Sequence, residues 1–337
     1  MQNGIFAVWQ ASMIMVFIFL VKSIKEGIMF FKERMEPKEL TIFRSLHARM
    51  SLSTENKQYY SNLEKGVEGE KLFDAIIREE LQNHCFVLND LLLQHKNITF
   101  QVDAFFIFQN KLLFFEVKNF EGDYYYESDK LYTKEQRVQI LNPINQLGRT
   151  SSLLQQLLNS HGFNLPIEGY VVFVNPEFTL YQAPIHKPFI YPTQFKRYVR
   201  SLNEIPSRMT KKHFELANLL KSLHIQDSSF THLPKYAYEK LKKGIICKHC
   251  HSLTIQLVKR SYCTCQYCGI IEKVDDAVYR SVQELRTLFP NKKMNTNLVH
   301  DWCKVVPSKR AIKRILDKYY QLVGVHQWAH YVEKVEQ

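Results

Sequence analysis

Two acidic residues on neighbouring predicted strands are the first candidates for chemistry. Residues 101–119 read QVDAFFIFQNKLLFFEVKN, and the Gln109-Asn110 pair predicts a two-residue turn between two strands. With that turn, Asp103 lies opposite Glu116. Two carboxylates that face each other among Phe and Leu side chains repel one another and lose hydration. A divalent cation between them would remove both penalties, and carboxylate oxygens with retained water are the ligands that Mg²⁺ prefers.

A lysine beside this pair indicates which reaction such a metal could serve. Lys118 follows Glu116 by two positions, so strand alternation places both side chains on one face. In phosphodiester hydrolysis a metal polarises a phosphoryl oxygen and lowers the pKa of its bound water. A lysine can orient that water and offset the growing negative charge. By itself a Glu-x-Lys pattern also fits a solvated strand end with an ordinary ion pair, but Glu70 on the preceding predicted helix and Gln146 on the following one favour hydrolysis.

The cysteines predict a second metal site. The chain has seven, and five are close together in the sequence, which is typical of metal ligation in a reducing compartment rather than of disulfides. Cys247-x-x-Cys250 and Cys265-x-x-Cys268 enclose a strand-like segment, as in a zinc ribbon with a structural Cys₄ zinc ion. Cys263 competes with Cys265 as a ligand, and the spacing favours Cys265.

A basic helix is predicted near the end of the chain. The segment PSKRAIKRILDKYYQL has apolar residues at helical spacing on one face. Its cations cluster on another face and are Lys309, Arg310, Lys313 and Arg314. Such a face fits a phosphate backbone, as in a helix-turn-helix variant, and these four are the predicted nucleic-acid-binding residues. A solvated face of a bundle helix explains the same pattern.

The composition agrees with a globular protein that has a polyanionic partner. The 337 residues include 45 Lys and Arg against 33 Asp and Glu, a formal net charge of +12. A hydrophobic content of 45% with 11 Gly and 11 Pro excludes a disordered tail, a collagen-like rod and a disulfide-dense mini-domain. The excess of basic over acidic residues favours nucleic acid or an anionic membrane face as the partner.

The elements that must position the carboxylates form an α/β core. Their order is helix, three strands, helix, strand, which predicts a sheet covered by helices. The predicted bounds are a helix over 66–81, strands over 85–93, 101–108 and 111–118, a helix over 142–161 and a strand over 168–174.

This pattern resembles the PD-(D/E)xK nuclease superfamily, whose restriction-endonuclease-like core is αβββαβ. More closely it resembles the nuclease-related domain, NERD, over about residues 65–176. The matching motifs are Gly66-x-x-Gly69-Glu70, Gln101-x-Asp103, Phe115-Glu116-Val117-Lys118-Asn119 and Asn142-Pro143-x-x-Gln146. Two departures are Phe120 where the family usually has Trp, and Val102 where the superfamily has Pro before the Asp.

The resemblance implies a role for each residue of the predicted site. Asp103 and Glu116 would bind Mg²⁺ or Mn²⁺, and Lys118 would assist the attacking water. Glu70 would be an auxiliary carboxylate, and Gln146 would steady Lys118 or the substrate phosphate. The implied protein is a metal-dependent endo- or exonuclease or DNA-processing protein. The alternative is a non-catalytic nucleic-acid-binding protein, or a membrane-docked scaffold that retains the nuclease fold.

The N-terminal segment allows two interpretations. Residues 4–21 carry no charge, and a bilayer-spanning helix needs about 20 mostly apolar residues. As an anchor, followed by cations, this segment would keep the protein at the cytoplasmic face of a membrane. Otherwise Met29 or Met35 is the true start, and the protein is cytoplasmic. The predicted segments are an anchor or mis-annotated start (1–35), a linker or helix (36–64), the nuclease-like core (65–176), a helical extension and linker (177–235), the zinc ribbon (245–273) and a basic helical tail (277–337).

Overall fold

A computed structural model of the chain describes residues 27–226, 232–259 and 261–334. The chain divides into two compact units, one of Met1–Met35 with Lys65–Ser229 and one of Glu36–Glu64 with Phe230–Gln337. The predicted anchor over residues 4–21 lies outside the described residues. Within the described ranges, no helix has the length and apolarity that crossing a membrane requires.

The elements alternate between helices and strands along the chain. Up to residue 226 they are β1 (Ile28–Lys32), α1 (Lys38–Arg49), α2 (Thr54–Glu80), β2 (Cys85–His95), β3 (Ile98–Ile107), β4 (Leu112–Lys118), β5 (Gly122–Glu127), β6 (Lys130–Thr133), β7 (Gln139–Ile140), α3 (Pro143–Ser160), β8 (Ile167–Phe173), β9 (Phe178–Tyr181), β10 (Phe189–Ile190), α4 (Pro192–Ser201) and α5 (Lys211–Leu223). After residue 231 they are β11 (Ile255–Lys259), β12 (Tyr262–Cys265), β13 (Ile271–Lys273), α6 (Val274–Leu288), α7 (Thr296–Cys303), α8 (Lys309–Tyr319), β14 (Tyr320–Val323) and β15 (His330–Glu333).

The main sheet of the first unit confirms the predicted α/β core. Its strand order is β1-β2-β3-β4-β8-β10. Strands β2, β3 and β4 are antiparallel neighbours, and β8 is parallel to β4. Apart from β5, β6 and β7, which form a separate sheet, the chain order of α2, β2, β3, β4, α3 and β8 is helix, three strands, helix and strand. This is the αβββαβ order that the sequence predicts.

Helices cover both faces of this sheet because its strands are apolar on both sides. On one face Phe105 and Phe114 share a core with Leu154 of α3. On the other face Phe115 belongs to a core with Phe73 of α2. The strands that carry Asp103 and Glu116 are therefore held between two packed layers.

Local sequence signals explain where the elements that matter begin and turn. The amide of Phe108 donates to the carbonyl of Lys111 over 3.0 Å, so the predicted two-residue turn between β3 and β4 is confirmed. The side chain of Asn142 caps α3 by accepting from the amide of Ile144 at 3.0 Å, as Asn followed by Pro predicts. Helix α2 begins before the predicted Gly66 and runs through it.

Three features of the first unit differ from the sequence prediction. Strand β1 joins the edge of the main sheet parallel to β2, although residues 28–32 were assigned to an anchor or mis-annotated start. Strands β5, β6, β7 and β9 form a separate four-stranded sheet. The predicted helical extension over 177–235 contains β9 and β10 as well as helices. Strand β1 pairs with β2 and β9 pairs with β5, which lie far away in the sequence, whereas β5, β6 and β7 pair with their neighbours along the chain. All of them except β5 have five residues or fewer, too short for a clear period in the sequence.

The second unit contains the predicted ribbon and most of the predicted helical tail. Strands β11, β12 and β13 form an antiparallel three-stranded sheet. Helices α6, α7 and α8 follow, but the tail ends in a hairpin of β14 and β15 instead of continuing as helix.

Residues 36–64, predicted as a linker or helix, contain α1 and the start of α2 and belong to this second unit. Arg49 at the end of α1 is completely buried and forms a salt bridge of 2.7 Å with Glu284 of α6. Its guanidinium also lies 3.8 Å from the ring centroid of Trp302. A buried cation is tolerated only with such partners, and they fix α1 within the unit.

Candidate functional site

The predicted carboxylate pair lies on two neighbouring strands of the main sheet. Ala104 pairs with Phe115, so Asp103 and Glu116 occupy the next position of the β3–β4 ladder. Both side chains are buried, with residue exposures of 8% for Asp103 and 3% for Glu116. One oxygen of Asp103, Oδ2, accepts from the amide of Val117 over 2.8 Å. The pair thus combines two acidic groups with little access to water.

Burial disfavours the ionised form of both carboxyl groups. It raises the pKa of Glu116 to about 7, with a further increase from the charge of Asp103 and an opposing effect from Lys118. Burial also raises the pKa of Asp103, whereas Lys118, the Val117 amide and Arg34 lower it. A bound cation would remove this penalty by favouring the charged forms.

Lys118 and Gln146 lie beside Glu116. The ammonium of Lys118 donates to Oε1 of Glu116 over 2.6 Å and to Oε1 of Gln146 over 3.4 Å. Gln146 reaches this position from the first turn of α3, which the Asn142 cap fixes. Strand β4 and helix α3 therefore bring a lysine, a carboxylate and an amide into one group.

Glu70 reaches the same end of the sheet from α2. Gly69 makes the approach possible, because a Cβ at that position would lie 2.4 Å from Cβ of Asn119. Burial raises the pKa of Glu70 to about 7, Arg34 opposes the shift, and Asp103 adds to it. Gly69 therefore allows α2 to pack closely at this point, and the next residue, Glu70, brings its carboxylate to the site.

The sequence prediction missed Arg34, which lies between β1 and α1. Its guanidinium is 3.0 Å from Glu70 and 2.9 Å from Asp74, and it also donates to the carbonyl of Asp103 over 2.9 Å. The side chain is only 7% exposed. A signal existed in the sequence: Glu70 and Asp74 are four residues apart on one helix, so both face the same direction and require a cation.

The carboxylates provide oxygen ligands that fit a hard divalent cation. Among the described residues, the cysteine cluster is the only group of three or more Cys, His, Asp or Glu side chains close enough to share a metal ion, so Glu70 does not form such a group with Asp103 and Glu116. Asp103 and Glu116 lie at neighbouring positions of β3 and β4 and are the two carboxylates that could act together on one ion. Such a set fits Mg²⁺, which is usually bound by one or two carboxylates and keeps several waters.

Four cysteines of the ribbon converge as the spacing predicts. The ligand atoms of Cys247, Cys250, Cys265 and Cys268 all lie within 4.8 Å of one another. Cys247 and Cys268 are 3.6 Å apart and Cys250 and Cys265 are 3.5 Å apart, measured between sulfurs. The thiol of Cys263 is turned to the carbonyl of Glu272 instead. The cluster could hold a structural metal ion such as zinc, and Cys265 is the residue that belongs to it.

The predicted basic face lies on α8. Ile312, Ile315 and Leu316 are buried, as the apolar stripe predicts. The four cations are exposed, namely Lys309, Arg310, Lys313 and Arg314. Arg314 is 3.3 Å from Asp275, which leaves the other three for a partner. Nucleic-acid binding by this face stays a prediction.

One comparison with known proteins covers the segment that carries the carboxylates. Residues 65–174 match the family model NERD, described as nuclease-related domain. The matched segment includes Glu70, Asp103, Glu116, Lys118 and Gln146. No curated protein and no solved structure matches the chain.

Proposed function

Because residues 65–174 form a nuclease-related domain, we propose that the chain is a metal-dependent nuclease that hydrolyses phosphodiester bonds of DNA. The observation that carries this proposal is the buried pair of Asp103 and Glu116 with Lys118 bonded to Glu116. Two carboxylates with like charge and poor hydration are unfavourable without a cation. A protein that only binds nucleic acid has no use for such a pair beside phosphate.

Each residue of the group has a distinct task in the proposal. Asp103 and Glu116 would hold Mg²⁺ or Mn²⁺, which when bound polarises a phosphoryl oxygen and lowers the pKa of its water. The Val117 amide restrains Asp103 by donating to its Oδ2 over 2.8 Å. Lys118 lies where it can orient water and offset negative charge at the phosphate. Gln146 restrains Lys118 through the 3.4 Å contact.

Arg34 acts as a positioning residue in this proposal. It touches the carboxylate of Glu70 and the backbone of Asp103, but no reacting atom is assigned to it. Its charge lowers the pKa of Glu70 against the effect of burial. Arg34 therefore keeps Glu70 available in the ionised form near neutral pH.

The cysteine cluster would hold a structural zinc ion. Four thiolates around Zn²⁺ at about 2.3 Å place neighbouring sulfurs roughly 3.8 Å apart, close to the separations in the ribbon. Ribbons of this size depend on the metal for folding. Because thiolate ligation requires a reducing environment, we also propose a cytoplasmic location for these residues.

The test is a cleavage assay with the full chain, since β1 and Arg34 precede residue 36. Linear, circular and branched DNA are incubated with and without Mg²⁺ or Mn²⁺. Wild type is compared with Glu116→Gln and Lys118→Met. The matched control is Glu121→Gln, since Glu121 is an exposed carboxylate paired with Lys65. We expect metal-dependent cleavage by wild type and the control only. Binding without cleavage by wild type would refute the nuclease and favour the non-catalytic alternative.

A further inference from the structure

The C-terminal part of the second unit has an arrangement beyond the predicted basic helix. Helices α7 and α8 are joined by a short turn in which Lys304 adopts a left-handed conformation with φ 54°. Strand β14 begins directly after α8. The returning strand β15 donates from the Tyr331 amide to the carbonyl of Met294 over 2.8 Å, just before α7. The hairpin is therefore fixed beside the two helices instead of extending away from them.

The hairpin also binds the acidic residue of α8, Asp317, through a hydrogen bond. The hydroxyl of Tyr331 donates to Asp317 over 2.7 Å. In the described part of the chain, no carboxylate lies within 4.0 Å of the cationic groups of Lys309, Arg310 or Lys313. The first half of α8 thus presents unneutralised cations, and its single acid is engaged by the hairpin.

The tip of the hairpin presents an exposed aromatic side chain next to a cation. Trp328 is 65% exposed. Gly324 permits the turn, since its φ is +78° and a Cβ there would lie 2.9 Å from the carbonyl oxygen of Trp328. The ammonium of Lys293 lies 5.9 Å from the centroid of the Trp328 ring. Trp328 and Lys293 therefore offer an aromatic ring and a cation side by side, which could contact the sugar-phosphate backbone of a nucleic acid.

We propose that α8 and the β14–β15 hairpin together bind double-stranded DNA, with α8 in the major groove and the hairpin tip against the adjoining backbone. The major groove of B-form DNA is about 12 Å wide and admits a helix, whereas the major groove of A-form RNA is too narrow. A helix-turn-helix uses the N-terminal part of its second helix for such contacts, where Lys309, Arg310 and Lys313 lie. This inference rests on the proposed function for the choice of nucleic acid, and it names duplex DNA as the substrate class.

The test measures binding separately from cleavage. The full chain carrying Glu116→Gln is titrated by fluorescence anisotropy, without added divalent metal, into a DNA duplex, one of its single strands and an RNA duplex of the same sequence. Each titration is repeated over a salt series. The variant Lys309→Ala/Arg310→Ala/Lys313→Ala is compared with Lys57→Ala/Lys130→Ala/Lys212→Ala, which removes the same charge at exposed positions elsewhere. Alanine is a strong helix former, so α8 should persist in the variant.

We expect the α8 variant to bind the DNA duplex more weakly and to lower the salt slope by about 2 to 3, since each phosphate contact contributes about 0.9. Trp328→Ala should weaken duplex binding without changing the slope. An unchanged slope, or tighter binding of the single strand or the RNA duplex, would overturn the inference. If wild type does not cleave DNA but the α8 variant loses duplex binding, the proposed nuclease fails and this inference stands. If wild type cleaves DNA but the α8 variant binds the duplex as tightly as its control, this inference fails and the proposed nuclease stands.

Discussion

Replacing Glu116 with Gln should stabilise the metal-free protein at alkaline pH. The pKa of Glu116 is raised from 4.5 to about 7 because the carboxyl group is buried beside Asp103. A shift of that size corresponds to about 3 kcal/mol, at about 1.4 kcal/mol per pKa unit. Gln has nearly the same shape, carries no charge and can still accept from Lys118. The substitution therefore removes the cost of ionisation and leaves the packing intact.

The sign of the pH dependence follows from linkage. Below pH 4.5 Glu116 is protonated in both the folded and the unfolded protein, so its ionisation costs nothing. Between pH 4.5 and about 7 the unfolded chain releases this proton while the folded protein keeps it, so rising pH favours unfolding until the folded protein also ionises. Wild type should therefore lose up to about 3 kcal/mol between pH 5 and 8 from this group, and Glu116→Gln should lose none of that amount.

Differential scanning calorimetry at pH 5, 6, 7 and 8 without divalent metal measures the effect. We expect Glu116→Gln to melt roughly 5–10 °C above wild type at pH 8 and close to it at pH 5, by the usual conversion of free energy to Tm. Glu121→Gln is the control, because the pKa of Glu121 is lowered by its hydrogen bond to Lys65 and the residue stays charged over this range. A lower Tm for Glu116→Gln at every pH would refute the reasoning, since the carboxylate would then be a stabilising group.

Three further predictions concern metals and Arg34. Mg²⁺ or Mn²⁺ should raise the Tm of wild type at pH 8 and have little effect on Glu116→Gln, because binding to the folded state alone stabilises it; equal shifts in calorimetry would argue against this site. Arg34→Met should raise the pKa of Glu70 further and move the pH–rate profile of cleavage to higher pH. An unchanged profile would show that Arg34 does not keep Glu70 ionised for cleavage. Cys250→Ser should lower bound zinc well below about one per chain by mass spectrometry, and Cys263→Ser should retain it; loss in both would mean that Cys263 is a ligand.

Local signals explain how much of the carboxylate site the sequence could predict. A two-residue turn at Gln109-Asn110 and strand alternation determine which residues of β3 and β4 meet, so the pairing of Asp103 with Glu116 follows from a short stretch of chain. The cap at Asn142 likewise predicts where α3 starts and hence where Gln146 lies. The cysteine knuckles are equally local, and their spacing favoured Cys265 over Cys263.

Contacts between distant segments explain what the sequence could not predict. Arg34 follows a five-residue strand whose partner in the described part of the chain, β2, lies more than fifty positions later. Such parallel pairing leaves no turn or period in the sequence, and the apolar residues of β1 read as a continuation of the segment before them. The hairpin after α8 was missed for a related reason: Tyr320 begins β14 directly at the end of the helix, with no break in the sequence between them.

The measurement that tests the central claim most directly is Mn²⁺ binding by the full chain, followed by electron paramagnetic resonance. Wild type and Glu121→Gln should each bind one Mn²⁺ ion at the carboxylate pair, and Glu116→Gln should lose that ion while the zinc content stays the same. The same samples should cleave DNA only where the ion is bound. Mn²⁺ binding that is unaffected by Glu116→Gln would contradict the account, because the buried carboxylates would then not be the metal site.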